Sequence, residues 1–292
     1  MVIHSDYPYP VRTLTLDEGQ KIAYVQVGSG SKMLLFVHGF AGFLPIWERN
    51  IERLQKYFTC IALDLPGHGL SSSGDYPFTM EFYAQTIQSF IQKLGLEEVS
   101  LVGHSMGGQI SVRLALMNPT LVSELVLIAP AGFETFNASE RFFLSNMISS
   151  SVFNTAQYFK HWFNLKDFFF DLDEKEYAKL QEFSRDFYSL TGNPNLLKVL
   201  ARSSQSMLND PVFDELKLLR MPVLVCFGKQ DKLIPNPLTN HESTQKIAER
   251  AVAQIPNCIL RLYDKGGHFL QYEEAASINI EMYKFLKPET FT

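Results

Sequence analysis

A chain of 292 residues with 46% hydrophobic content has room for a large buried core and for one catalytic domain carrying an insertion. A net charge of -5, an isoelectric point near 5.8 and no basic stripe interleaved with aromatics argue against a nucleic-acid partner. No run of about 18 apolar residues occurs, so no membrane span is expected.

In chain order, Met1 to Pro10 has neither the charged start nor the apolar stretch of a secretory signal, and the expectation is a protein that stays in the cytoplasm. Val11 to Leu16 and Lys21 to Val27 alternate apolar and polar residues around Asp17-Glu18-Gly19-Gln20, which predicts an antiparallel hairpin of two edge strands. Short apolar runs follow at Met33 to Val37, Cys60 to Leu63, Val99 to Val102 and Leu125 to Ile128. They alternate with helical spacing over Trp47 to Lys56, Met80 to Leu94 and Gly107 to Met117. Strand alternating with helix predicts a parallel sheet.

The pattern resumes late, with strands at Pro222 to Phe227 and Cys258 to Tyr263, a helix at about Ser243 to Ala253 and a closing helix at about Ala275 to Leu286. Between Phe133 and Phe213 no strand signal appears, and eleven of the 24 Phe lie in Glu134 to Pro211 at spacings that suit amphipathic helices. The expectation is a core of residues 1–133 and 212–292 with an inserted helical cap at 134–211. Cys60, Cys226 and Cys258 lie far apart in or beside strands, which suits reduced, buried thiols and a reducing compartment.

The chemistry centres on Leu101-Val102-Gly103-His104-Ser105-Met106-Gly107-Gly108, a G-x-S-x-G pattern set between an apolar strand and a helix. Gly103 and Gly107 are needed because side chains two residues either side of so tight a turn would meet neighbouring backbone. Ser105 is the candidate nucleophile, standing at a helix start where free N–H groups favour negative charge. The N–H of Met106 is one candidate oxyanion donor.

A serine hydroxyl needs a base held by a carboxylate. Of the histidines after Ser105, His161 lies in the predicted cap and His241 in a polar stretch, whereas His268 follows the last strand in a glycine loop. His268 is therefore the candidate base. Asp231, just past the strand Val223 to Phe227, is the candidate acid; Asp264 is read as a solvated loop residue, and Asp210 and Asp214 as surface or cap residues. His38-Gly39-Phe40 follows an early strand, and Phe40 is assigned the second oxyanion N–H. Asp64 to Ser71 is read as a turn that braces the elbow, having too few ligands for a metal. Gly28 to Lys32 lacks phosphate-loop spacing and is read as a turn.

HGF at His38, DLPGHGLS at Asp64, GHSMGG at Gly103, FGKQD at Phe227 and GGH at Gly266 together resemble the α/β-hydrolase superfamily across nearly the whole chain. The resemblance implies a mostly parallel eight-stranded sheet flanked by helices, a Ser105, Asp231, His268 triad and oxyanion donors at Phe40 and Met106. No cofactor and no metal are implied. The serine excludes relatives that use aspartate at that position. A weaker resemblance to hydrolases of carbon–carbon bonds makes Arg185 and Phe269 candidate substrate contacts, although His104 and Phe269 stand where those enzymes often carry Asn and Trp. The expectation is a carboxylesterase acting on a small apolar substrate, with a C–C bond hydrolase or a ligand sensor of the same fold as alternatives. Monomer and homodimer are not distinguished.

Overall fold

The computed structural model describes residues 7–17, 19–149, 168–170, 173–175, 178 and 194–287. Its centre is an eight-stranded sheet: β1 (Arg12–Thr15), β2 (Lys21–Val27), β3 (Met33–Val37), β4 (Thr59–Leu63), β5 (Val99–His104), β6 (Val122–Ile128), β7 (Val223–Gly228) and β8 (Cys258–Tyr263). The strand order is β1-β2-β4-β3-β5-β6-β7-β8. Pairing is antiparallel from β1 through β2 to β4 and parallel from there to β8.

The burial of each strand follows its place in the sheet. β4, β5 and β7 are buried at every position, as strands covered on both faces must be, and their sequences are mainly apolar, with Thr59, Ser100 and His104 as buried polar exceptions. β8, at the far edge, alternates half-buried with exposed residues through its first four positions. One expectation needs correction. β2 is not an edge strand: it pairs with β4 as well as β1, and Ile22, Ala23, Tyr24 and Val25 form a continuous buried run. Of the two hairpin strands only β1 lies at an edge.

Among the described residues the helices are α1 (Glu48–Leu54), α2 (Met80–Lys93), α3 (Met106–Met117), α4 (Ala138–Ser149), α5 (Pro194–Asn209), α6 (Thr244–Val252), α7 (Leu270–Glu273) and α8 (Ala275–Leu286). Three start on side-chain caps: Thr79 Oγ1 accepts from the Phe82 N–H ahead of α2, Asn137 Oδ1 from the Glu140 N–H ahead of α4, and Ser243 Oγ from the Lys246 N–H ahead of α6. A 3-10 turn at Leu44–Trp47 leads into α1, so the helix there is shorter than its apolar spacing suggests.

Two apolar clusters fill the space on the sheet's faces, one holding Phe90, Ile110 and Phe133, the other Trp47, Ile51 and Met282. α5 is tied to the sheet's flank by polar contacts. Ser206 Oγ accepts from the Met80 N–H, and the Ser203 and Tyr83 hydroxyls lie 3.0 Å apart. The three cysteines are free; Cys60 and Cys226 are buried and Cys258 half-buried, and burial pushes all three thiols up to about 12. Among the described residues no helix is long and apolar enough to cross a membrane.

Candidate active site

The chain reverses its direction of winding beside β3, and four loops leave the carboxyl ends of β3, β5, β7 and β8 on one edge of the sheet. Ser105 sits between β5 and α3 with φ 52° and ψ -118°, a left-handed conformation that a residue with a Cβ adopts only under strain. Neighbours hold it there: the Ser105 N–H donates to Ile128 O, and Ser105 O accepts from the N–H groups of Gly108 and Ala131. A Cβ at Gly103 would lie 2.5 Å from Gly107 O, and one at Gly107 would lie 2.2 Å from Val37 O. Both elbow positions therefore exclude any side chain.

The turn after β3 comes up against the elbow. A Cβ on Gly39 would be 2.9 Å from His104 Nδ1 and 3.0 Å from the Ser105 Cβ, so the Gly39-Phe40 backbone runs directly beside Ser105. Met106, the other predicted donor, is the first residue of α3, where backbone N–H groups have no helical partner.

Asp231 follows β7 and His268 follows β8, and the two are joined. His268 Nδ1 lies 2.8 Å from Asp231 Oδ2, while Asp231 Oδ1 accepts the N–H groups of Leu233 at 2.8 Å and Ile234 at 3.0 Å. The carboxylate is thus fixed at both oxygens, and Nε2 is the ring nitrogen left to exchange a proton. The backbone of His268 is held too: its N–H donates to Phe168 O, and its carbonyl lies 2.9 Å from His104 Nε2. His104 is wholly buried, and burial together with the neighbouring His268 holds its pKa well below the ordinary imidazole value, so it stays neutral. Its role in anchoring His268 carries no signal in the sequence beyond the x of G-x-S-x-G.

Behind the turn lies a second buried polar cluster. His38 Nδ1 lies 2.8 Å from Gly39 O and its Nε2 accepts from the Leu65 N–H, which sets a neutral tautomer with the proton on Nδ1. Burial lowers His38 to about 3 and His68 to about 4. Asp64, fully buried and raised by desolvation to about 6, accepts from the Leu44 N–H, the Leu70 N–H and the Tyr7 hydroxyl. The segment's support of the elbow is indirect: Asp64 and Leu65 hold the turn after β3, whose backbone meets Ser105.

Ser105, His268 and Phe40 line one cavity of about 430 Å³. Its walls are mostly apolar, with Leu144 and Met147 of α4, Leu208 of α5 and Phe136 just ahead of α4. Gln109, Glu134, Lys232 and Asn236 also line it, and none of them stood out in the sequence. Gln109 could have been found, since it lies one helical turn beyond Ser105 on α3; the other three sit in irregular segments without pattern.

Other candidates lie elsewhere. Phe269 is not among the residues that line the cavity; its ring stacks on Phe169 with centroids 4.9 Å apart. Arg185 and His161 lie outside the described residues. His241 is exposed, and Asp264 is an exposed partner of Lys229 at 2.7 Å. Among the described residues no cluster of three or more His, Cys, Asp or Glu is placed to hold a metal.

Residues 32–275 match the family described as the alpha/beta hydrolase fold, and the chain belongs to that family. It is 27% identical over 292 residues to an uncharacterized hydrolase, YugF, of Bacillus subtilis, covering 95% of this chain and 98% of that one. It is 29% identical over 271 residues to the dihydrolipoyllysine-residue acetyltransferase component of the acetoin cleaving system of Cupriavidus necator, covering 92% of this chain and 67% of the relative. Among solved structures, an esterase from Exiguobacterium antarcticum superposes with a TM-score of 0.77 at 21% identity, covering 94% of this chain and 99% of that one. Fold and kinship support a hydrolase.

Proposed function

We propose that the chain is a carboxylesterase that cleaves small, mainly apolar esters through Ser105, His268 and Asp231. The observation that carries this reading is the meeting in one cavity of a strained serine and a histidine whose Nδ1 is held by a buried carboxylate.

In the proposed cycle the Ser105 hydroxyl attacks the ester carbonyl while His268 Nε2 takes its proton. The N–H groups of Phe40 and Met106 receive the oxyanion. His268 then protonates the departing alcohol, leaving an acyl group on Ser105, and water activated by the same imidazole releases the acid. Asp231 holds the ring and stabilises its charged form.

The proposal extends to the chain's organisation: residues 1–133 and 212–292 form the hydrolase core, and 134–211 form a cap. Support comes from α4 and α5, which both supply cavity walls through Leu144, Met147, Met207 and Leu208. The free thiols suit a cytoplasmic setting, which we carry as part of this reading.

The test is turnover of a short-chain p-nitrophenyl ester by the chain and by Ser105→Ala. The wild type should turn the ester over, and the variant should lose on the order of 10^5-fold in kcat with its far-UV spectrum intact. Equal turnover by the two would refute the reading.

A further inference from the structure

Two buried acceptors on the cavity wall take no part in the proposed cycle. Gln109 is fully buried, and its amide nitrogen donates to Met207 O at 3.1 Å and Asp210 O at 2.6 Å. Two carbonyls can be met only by the NH2 end, so the orientation of the amide is fixed by its partners. Its Oε1 is left buried with no hydrogen-bond partner. Native interiors seldom leave such an acceptor open, because water was given up to bury it.

Glu134 is the second. It is 6% exposed, and both carboxylate oxygens lie 2.9 Å from the single N–H of Asn236. Among the described residues no Lys or Arg forms an ion pair with it. A carboxylate offers about four acceptor positions, so capacity remains even with the Asn240 side chain also hydrogen-bonded to it.

The two acceptors belong to neighbouring pieces of wall. A Cβ on Gly132 would lie 3.1 Å from Gln109 Cδ, and Glu134 follows Gly132 by two residues, a reach of at most about 7 Å. Gln109 stands four residues beyond Ser105 on α3, about 6 Å along the helix axis.

We propose that Gln109 and Glu134 form a hydroxyl-binding subsite in an otherwise apolar cavity, so that the ester taken by this site carries a hydroxyl group a few carbons from its carbonyl. This rests on the esterase reading above and names its substrate class. A hydroxyl is favoured over an ammonium because Gln109 Oε1 is uncharged and burial raises Glu134 to about 7, near neutrality: a hydroxyl gives its single proton to Gln109 Oε1 and accepts from the protonated carboxyl, or gives it to the carboxylate when Glu134 is ionised. A site built to bond a hydroxyl also discriminates strongly against an analogue that lacks one.

The experiment measures kcat/KM for matched pairs in two arms: methyl esters of ω-hydroxy acids against methyl alkanoates, and diol monoacetates against alkyl acetates, with chains of about four to six carbons. The first arm places the hydroxyl in the acyl part, the second in the alcohol. The expected result is a preference of about tenfold or more for the hydroxylated member in one arm, falling to within about twofold in Gln109→Met and in Glu134→Gln. The ratio cancels any general loss of activity. Because Gln109→Met also removes the bonds to Met207 and Asp210, Glu134→Gln reads the same ratio with those bonds in place.

No preference in either arm while esters are still cleaved overturns the subsite and leaves the esterase reading standing. A preference that survives both substitutions overturns the assignment to these residues. If no ester is cleaved, the esterase reading fails, and calorimetric binding of an alkanediol against the matched alkanol decides the subsite alone. Tighter diol binding that is lost in Glu134→Gln supports it, and equal binding overturns it.

Discussion

At the carboxyl edge of the sheet, Asp231 has both oxygens bonded and His268 is held at Nδ1, at its N–H and at its carbonyl. On the wall of the same cavity, Gln109 leaves Oε1 open and Glu134 keeps spare acceptor capacity. The first region is closed on itself, as groups must be when their geometry has to be ready before a substrate arrives. The second is left for something else to complete. Reaction type and substrate choice thus sit on different kinds of structure within one cavity: strained turns at strand ends for the first, irregular segments and a helix face for the second.

The largest effect expected from breaking the closed region is Asp231→Asn. It should lower kcat for an ester by about 10^4-fold, because the amide no longer selects the imidazole tautomer with the proton on Nδ1. Asp264→Asn, a change at the exposed carboxylate nearer to His268 in sequence, should leave kcat within about twofold. Steady-state kinetics on the two variants separates position in space from position along the chain.

Next in size is Gly107→Ala, whose methyl would meet Val37 O at 2.2 Å. Overpacking against backbone should destabilise the fold by about 3 kcal/mol, read from urea unfolding midpoints.

The smallest effect tests the cluster behind the turn. His68 has a folded pKa of about 4 against about 6.5 unfolded, so the unfolded chain binds the proton first as pH falls. The stability contributed by neutral His68 is whole above pH 6.5 and is lost between about 6.5 and 4. Asp64, raised to about 6, acts with the opposite sign, regaining stability as pH falls through that value. Comparing wild type with His68→Phe isolates the histidine: between pH 7 and about 5 the variant should lose about 2 kcal/mol less, by urea unfolding at each pH.

The closed region was legible in the sequence because each of its turns demands particular residues. Gly103 and Gly107 flank Ser105 where no Cβ fits, and Gly228 at the end of β7 allows the loop before His268 to approach: a Cβ there would lie 2.1 Å from Gly266 O. The buried runs of β3, β5 and β7 were equally plain, since strands covered on both faces are mainly apolar. β2 misled because it follows a hairpin turn and its pairing partner β4 lies 32 residues further along, beyond the reach of local pattern. The cavity wall was illegible for a related reason. Glu134 and Asn236 are 102 residues apart, and neither lies on a strand or helix whose period would announce it.

The central claim is that Ser105 is activated by His268 held by Asp231, and fluorophosphonate labelling with mass mapping of the adduct tests it most directly. The account predicts a single adduct on Ser105 in the native chain, formed at least about 100-fold more slowly in His268→Ala. Adduct on another residue, or labelling of Ser105 at an unchanged rate in His268→Ala, would contradict it.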